Sequence, residues 1–134
     1  MKSNMLTLRL LREKFGICRL DPDAPIPDWV KGSFYSITKT LDELSIICRE
    51  DAIPAESPCE TNWRALMIEG PLDFSLTGII ASISSILANN QISLFVLSTY
   101  DTDYILIKDH LLDKAVSVLR ANHYEIVYNL HESL

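Results

Sequence analysis

The chain has 134 residues, a net charge of −6 and a sequence pI near 4.9. Its hydrophobic fraction of 48% and charged fraction of 22% supply enough apolar side chain to exclude a disordered chain, at a length that fits one domain or two very small ones packed together. The acidic balance argues against nucleic acid, which needs a basic face to displace phosphate counterions, and against docking on anionic lipid, while leaving a cationic ligand open.

In chain order, the first part is rich in strands and poor in helices. Met5–Leu11, Phe15–Leu20, Phe34–Thr38 and Ser45–Arg49 carry the β-branched and aromatic runs of strands. Between them, Asp21-Pro22-Asp23-Ala24-Pro25-Ile26-Pro27-Asp28 forbids a long helix, because each proline removes a donor and clashes with the preceding turn. Thr40-Leu41-Asp42-Glu43 has capping-box spacing, yet the run after it is strand-like, so one helical turn at most is expected. Ile53–Asn62, with Pro54 and Pro58, reads as a linker.

The second part follows a βαββαβ order. Arg64–Glu69 is a strand, broken by Gly70-Pro71. A helix follows with Leu76, Ile79, Ile80, Ile83 and Leu87 on one face, capped first by Asp73 or Ser75 and ended by Asn89-Asn90. Two central strands come next. A last helix starts near Asp109, its N-cap, and buries Leu112, Ala115, Val116 and Leu119; Tyr124–Tyr128 closes as a strand. The division expected is therefore residues 1–61 and 62–130, the first half a version of the same βαββαβ unit with its helices worn down.

The central stretch is the most informative. Ser93–Ile107 reads as two strands folded back on each other around the polar tetrapeptide Tyr100-Asp101-Thr102-Asp103. Flanked by amphipathic helices, this order belongs to a small α+β sandwich, with Ser93, Leu94 and Asp103 where a small ligand could be held.

Those residues resemble a known family. The stretch from Ser93 through Thr99-Tyr100-Asp101-Thr102-Asp103 to Ile107 is similar to the second ACT unit of the CASTOR-type proteins, which include cytosolic arginine sensors of animals and short bacterial ACT-domain proteins. Phe34–Thr40 followed by Leu44–Ile47 resembles the end of their first unit, and Trp63-Arg64-Ala65-Leu66 the opening of their second, so the likeness runs from about Leu6 to Ile126. It implies an α+β fold of two ferredoxin-like ACT units, the first with reduced helices, and non-enzymatic sensing of an amino acid. ACT units pair side by side with the ligand between two of them, so a chain of two units implies a homodimer. The ligand-facing positions carried over are Ser93 and Leu94 from one surface; from the facing surface come Thr102, Asp103 and the loop Leu72-Asp73-Phe74-Ser75-Leu76-Thr77-Gly78. The turn Gly70–Ser75 departs from the acidic, glycine-rich loop of the arginine sensors, so arginine specificity does not carry over.

The chemistry of these residues suits an amino acid. First-turn backbone N–H groups of the helix after Ser75, with Ser75 or Thr77 hydroxyls, would take the carboxylate; Asp103, or Asp73, would take the ammonium; Leu94 would wall the apolar part. Plainer roles compete: Asp101 and Asp103 as turn residues, Ser93 as a strand end, Asp73 as a helix cap, Trp29 and Trp63 as core aromatics. The competing function is a ligand-free ACT-like dimerisation module that regulates another protein by contact. Catalysis has little support: Cys59 has no local motif with His110, His123 or His131, no histidine or cysteine pair has metal spacing, and no glycine-rich phosphate loop exists. No cofactor, metal, nucleic acid or membrane partner is expected. The most apolar helical stretch, Ile79 to Ala88, is too short to span a bilayer, and Met1-Lys2-Ser3-Asn4 opens no signal sequence. Cys18, Cys48 and Cys59 are odd in number and widely spaced, which reads as free thiols, Cys18 and Cys48 acting as small hydrophobes, in a reducing cytoplasm.

Overall fold

The computed structural model describes residues 6–69 and 78–128. Its elements, in order, are β1 (Thr7–Leu20), β2 (Ser36–Lys39), β3 (Leu44–Arg49), a 3₁₀ turn (Glu50–Ala52), β4 (Cys59–Ile68), α1 (Ile79–Asn89), β5 (Phe95–Ser98), β6 (Asp103–Lys108), a 3₁₀ turn (Asp109–Leu111), α2 (Leu112–Ala121) and β7 (Glu125–Tyr128). The fold class is α+β, as expected. Among the described residues, two compact units share the chain: residues 6–12 with 64–69 and 78–128, and residues 13–63. The expected cut at 61/62 lies beside the 63/64 boundary. The boundary inside β1, at 12/13, has no signal in composition, since β1 is a single strand where two were expected.

The larger unit, built on residues 64–128, has strand order β7-β1-β4-β6-β5. It is the ferredoxin-like order with the first half of β1 slotted beside β7, in parallel, from Thr7↔Glu125 to Leu10↔Tyr128. Both helices pack into one core. α1 contributes Ile83 and Leu87, with Ile79 and Ile80 packed at its edge; α2 contributes Leu112, Ala115, Val116 and Leu119, the face the periodicity predicts. They meet Leu66, Ile68, Ile105 and Ile107 from the sheet. Each fully buried aliphatic here is worth about 1.5–3 kcal/mol of transfer free energy.

Both helices end in the same way. Asn90 and Asn122 are the C-caps, and Gln91 (φ 60°) and His123 (φ 73°) follow in the left-handed region. Ile92 N–H donates to Leu87 O at 2.9 Å and Tyr124 N–H to Leu119 O at 3.1 Å, the closing bonds of a Schellman motif. Each asparagine amide also donates to the carbonyl four residues back, Ile86 and Val118, both at 2.8 Å. Asn89-Asn90 thus ends α1 as expected. The cap expected at Asp109 is not formed: a 3₁₀ turn intervenes, no side chain caps α2, and the Asp109 carboxylate instead accepts from Arg64 Nη1 at 3.2 Å. The caps expected from Asp73 or Ser75 lie outside the described residues, and α1 opens on Gly78, whose φ of 84° suits glycine.

The smaller unit has order β2-β3-β1-β4, the ferredoxin-like order again, with no α-helix among its described residues. In place of helices, the proline-rich stretch after β1 lays Ala24, Trp29 and Val30 over a core of Cys18, Leu44, Ile46 and Cys48. A Cβ at Gly16 would come within 2.5 Å of Ile53 Cδ1, so the tip of that side chain would have to shift. Trp63 is buried and Trp29 packs on the core, the plain role read for both.

Two sequence expectations are corrected here. The linker reading of Ile53–Asn62 fails in its second half, because Cys59–Asn62 are strand, held by Arg19 N–H to Pro58 O at 3.3 Å and by Asn62 N–H to the Glu50 carboxylate at 2.7 Å. The cysteines are not three free thiols: Cys18 and Cys59, on the neighbouring strands β1 and β4, form a disulfide, and only Cys48 is free, and buried.

Candidate functional site

The β5–β6 hairpin of the larger unit pairs Phe95↔Leu106 through Ser98↔Asp103. Its loop is therefore Thr99–Thr102, one residue earlier than the tetrapeptide read from sequence, and Asp103 belongs to β6 rather than to the turn. Thr99 causes the shift. Its N–H donates to Thr102 O at 2.8 Å, its hydroxyl donates to the same carbonyl at 3.1 Å, and Thr102 N–H donates to that hydroxyl at 3.2 Å. The shift makes Ser98 and Asp103 the pair that closes the loop.

At the loop's base, Ser98 Oγ donates to Asp103 Oδ1 at 2.5 Å. Thr102 is buried, and its hydroxyl donates to the carbonyl of Ile68, at the end of β4. That bond ties the hairpin turn to the strand from which residues 70–77 depart. Beside it, Glu69 takes the Arg9 guanidinium at 2.5 Å, with both side chains about one-third exposed (36% and 34%). The described chain resumes at Gly78, exposed at the start of α1, and among the described residues nothing lies within 4 Å of a Cβ placed there.

The predicted site residues fall into three groups. Thr102 and Asp103 sit at the turn end of the hairpin, where Thr102 meets the carbonyl of Ile68. Ser93, exposed, and Leu94, half-buried against the core, precede β5 at its opposite end. Five residues of extended chain separate Ser93 from Ser98, roughly 16 Å. One copy of the unit therefore does not bring Ser93 and Leu94 to the same small ligand as Asp103. Leu72, Asp73, Phe74, Ser75 and Thr77 lie outside the described residues. Arg64 and Lys108, cations that could have completed an acid–base site, do not converge with Asp103. Arg64 is held by Asp109 and by Leu11 O at 3.2 Å, and Lys108 ends β6 five residues away from Asp103.

Sequence reading missed Ser98 and the Ile68 carbonyl. The signal for Ser98 was present: two residues flanking a four-residue loop oppose each other, so locating the loop from Thr99 locates the pair. The smaller unit supplies the control. Its β2–β3 hairpin has the same loop in Thr40–Glu43, with Thr40 N–H to Glu43 O at 2.9 Å and Glu43 N–H to Thr40 Oγ1 at 3.2 Å, rather than the helical turn allowed for. At its base, however, the pair is Lys39↔Leu44, with Leu44 buried. The loop can thus be built without a serine–aspartate pair, which makes Ser98–Asp103 an addition to the hairpin and not a requirement of it.

A βαββαβ unit with a polar pair at the end of its central hairpin is the setting in which the comparisons with known proteins fall. A family model described as an ACT domain matches residues 59–121, and a second model, of an N-terminal domain, matches residues 13–56. The human protein CASTOR3P is 36% identical over 87 residues, covering 55% of this chain and 53% of that protein. The cattle cytosolic arginine sensor for mTORC1 subunit 1 is 26% identical over 105 residues, 70% of this chain and 32% of the sensor. The chain thus spans about half the length of one of these relatives and a third of the other. The crystal structure of Atu0741 from Agrobacterium tumefaciens superposes with a TM-score of 0.90 at 35% identity, covering 98% of this chain and 99% of that one. Residues 59–121 belong to the ACT-domain family, and the chain is similar to CASTOR-like proteins of that family.

Proposed function

We propose that this protein is a non-enzymatic regulator that binds an amino acid between ACT units of two copies of the chain, in the cytoplasm, and passes the bound state to another protein. The two halves of the chain, residues 1–61 and 62–130, are read as two such units. The observation that carries the reading is the Ser98–Asp103 pair at the turn end of the ACT hairpin, present there and replaced by Lys39 and Leu44 in the sister hairpin. A carboxylate and a hydroxyl at that end offer an ammonium group an acceptor and a neighbouring dipole. The first-turn N–H groups of α1, behind the exposed Gly78, offer donors for a carboxylate. The roughly 16 Å of chain between Ser93 and Ser98, the residue paired with Asp103, supports a ligand shared between copies, with Ser93 and Leu94 from one facing Asp103 and the 72–78 segment of the other. Ligand contacts available in only one dimer arrangement shift the population toward it, which is how binding becomes a signal. The name of the cattle relative supports amino-acid sensing and a cytosolic setting; among the described residues, no helix is long and apolar enough to cross a membrane.

The test is calorimetric titration of the purified full chain with each standard amino acid, with sedimentation analysis of its oligomeric state. Binding by one amino acid to a homodimer, lost in Asp103→Ala, is expected; a monomer, or silence toward all of them, refutes the reading.

A second reading, a ligand-free ACT dimerisation module, is favoured by one observation: the N–H and carbonyl of Thr102 are engaged inside the hairpin and its hydroxyl on the Ile68 carbonyl, and Asp103 already holds Ser98.

A further inference from the structure

All three cysteines of the chain lie in the smaller unit. There they share one apolar cluster: Cys18 and Cys48 are two of its four buried members, and Cys59 packs at its edge. The fourteen-residue core of the larger unit contains none. A unit of about fifty residues with no α-helix among its described residues, which also buries Phe15, Ile47 and Trp63 on its sheet, gains from a covalent staple. The Cys18–Cys59 disulfide is that staple. Its sequence separation of 41 residues encloses β2, β3, the 3₁₀ turn and both proline-bearing loops, nearly the whole unit.

The two sulfurs differ in access. Cys18 is 1% exposed among Leu20, Leu44 and Ile46. Cys59 is half-buried, the first residue of β4, directly after the exposed Pro58. We infer that Cys59 is a thiol-exchange site through which a small cellular thiol opens the disulfide and loosens the smaller unit while leaving the larger one folded. The incoming thiolate bonds to Cys59 Sγ; the Sγ–Sγ bond breaks, and its electron pair leaves on Cys18, which takes a proton from solvent. A second thiol attacks the mixed disulfide, forming the small-molecule disulfide and freeing Cys59. Two electrons pass from two small thiols to the cystine, and the balance closes without another reactant. Burial of Cys18 disfavours its thiolate as a leaving group, so the exchange is slow and responds to a sustained change of redox state. The inference is independent of the proposed amino-acid site.

The experiment uses the full chain, oxidised, incubated with reduced glutathione and followed by peptide mass spectrometry, with hydrogen exchange measured before and after. A glutathione adduct at Cys59 preceding any at Cys18 is expected. Exchange should rise about tenfold or more across residues 20–58 on full reduction, and stay unchanged across 79–121. An adduct first at Cys18, a disulfide that glutathione leaves intact, or equal exchange in both redox states would each overturn it. The Cys48→Ser variant, which keeps the pair and removes the third thiol, should give the same adduct; losing it there would assign the exchange to Cys48 instead.

Discussion

Leu41 and Tyr100 occupy the same position in two copies of one hairpin, the second residue of the loops Thr40-Leu41-Asp42-Glu43 and Thr99-Tyr100-Asp101-Thr102, and both side chains stand in solvent, 95% and 85% exposed. Around them the sequences match in kind: Ile37 with Val96, Ile46 with Ile105, Ile47 with Leu106. The departure is at the base, where Lys39 and Leu44 stand opposite Ser98 and Asp103. Structural equivalence within one chain therefore separates what the hairpin needs from what has been added to one copy.

The first prediction follows from that separation. Ser98→Ala and Asp103→Ala remove an exposed pair that the sister hairpin lacks, so each should change unfolding free energy by less than about 1 kcal/mol. The same variants should lose the response to amino acids in thermal-shift titration. A large loss of stability would show that the pair holds the hairpin together; full retention of ligand response in both would remove it from the site.

The second concerns Thr102. Its buried hydroxyl donates to Ile68 O, so Thr102→Val leaves a carbonyl at the end of β4 without that donor. The expected cost is about 1–3 kcal/mol, several degrees in the melting temperature, with Thr102→Ser recovering most of it. A melting temperature of Thr102→Val equal to the parent's would show that the bond to Ile68 contributes nothing.

Much of this architecture was readable from residue pattern. The buried faces of α1 and α2 follow the 3.6 period at Ile83, Leu87, Leu112, Ala115, Val116 and Leu119, because a helix against a sheet has one way to hide its apolar stripe. Features set by pairing across the sheet were not readable. The single long β1, the extension of β4 back to Cys59 and the Cys18–Cys59 bond all depend on which strands become neighbours, and no local preference encodes that. The site shows the same division. Asp103 stands out in the sequence as a charge between apolar arms, while its partner Ser98 needs the loop register, fixed by a threonine whose side chain resembles any other turn residue.

The helix ends yield a third prediction. Gln91 and His123 adopt positive φ where glycine pays no Cβ penalty, and neither position requires its side chain for the closing backbone bonds to Leu87 and Leu119. Gln91→Gly and His123→Gly should each stabilise the chain by roughly 0.5–1 kcal/mol, and being at separate helix ends they should add in the double variant. Denaturant midpoints measure this. A destabilised glycine variant would mean that the unfolded chain's gain in freedom outweighs the relief.

The fourth sets the pH at which the fold loosens. Burial pushes the Cys48 thiol above its ordinary value, with the Asp51 carboxylate adding to the effect, and burial pushes the Tyr104 phenol up as well. In both groups the folded state holds its proton more tightly than the unfolded state does. Their contribution to stability is therefore complete below the ordinary thiol and phenol values, and is lost as pH rises through the raised ones. Urea midpoints should hold steady near neutrality and fall from about pH 9 upward. Tyr104→Phe and Cys48→Ala each remove one ionisation, and the double variant should show a shallower alkaline decline than the parent, whatever its stability at pH 7. Since the comparison is between slopes, a cavity left by the cysteine does not disguise the result. An unchanged slope in the double variant would assign the alkaline loss to other groups.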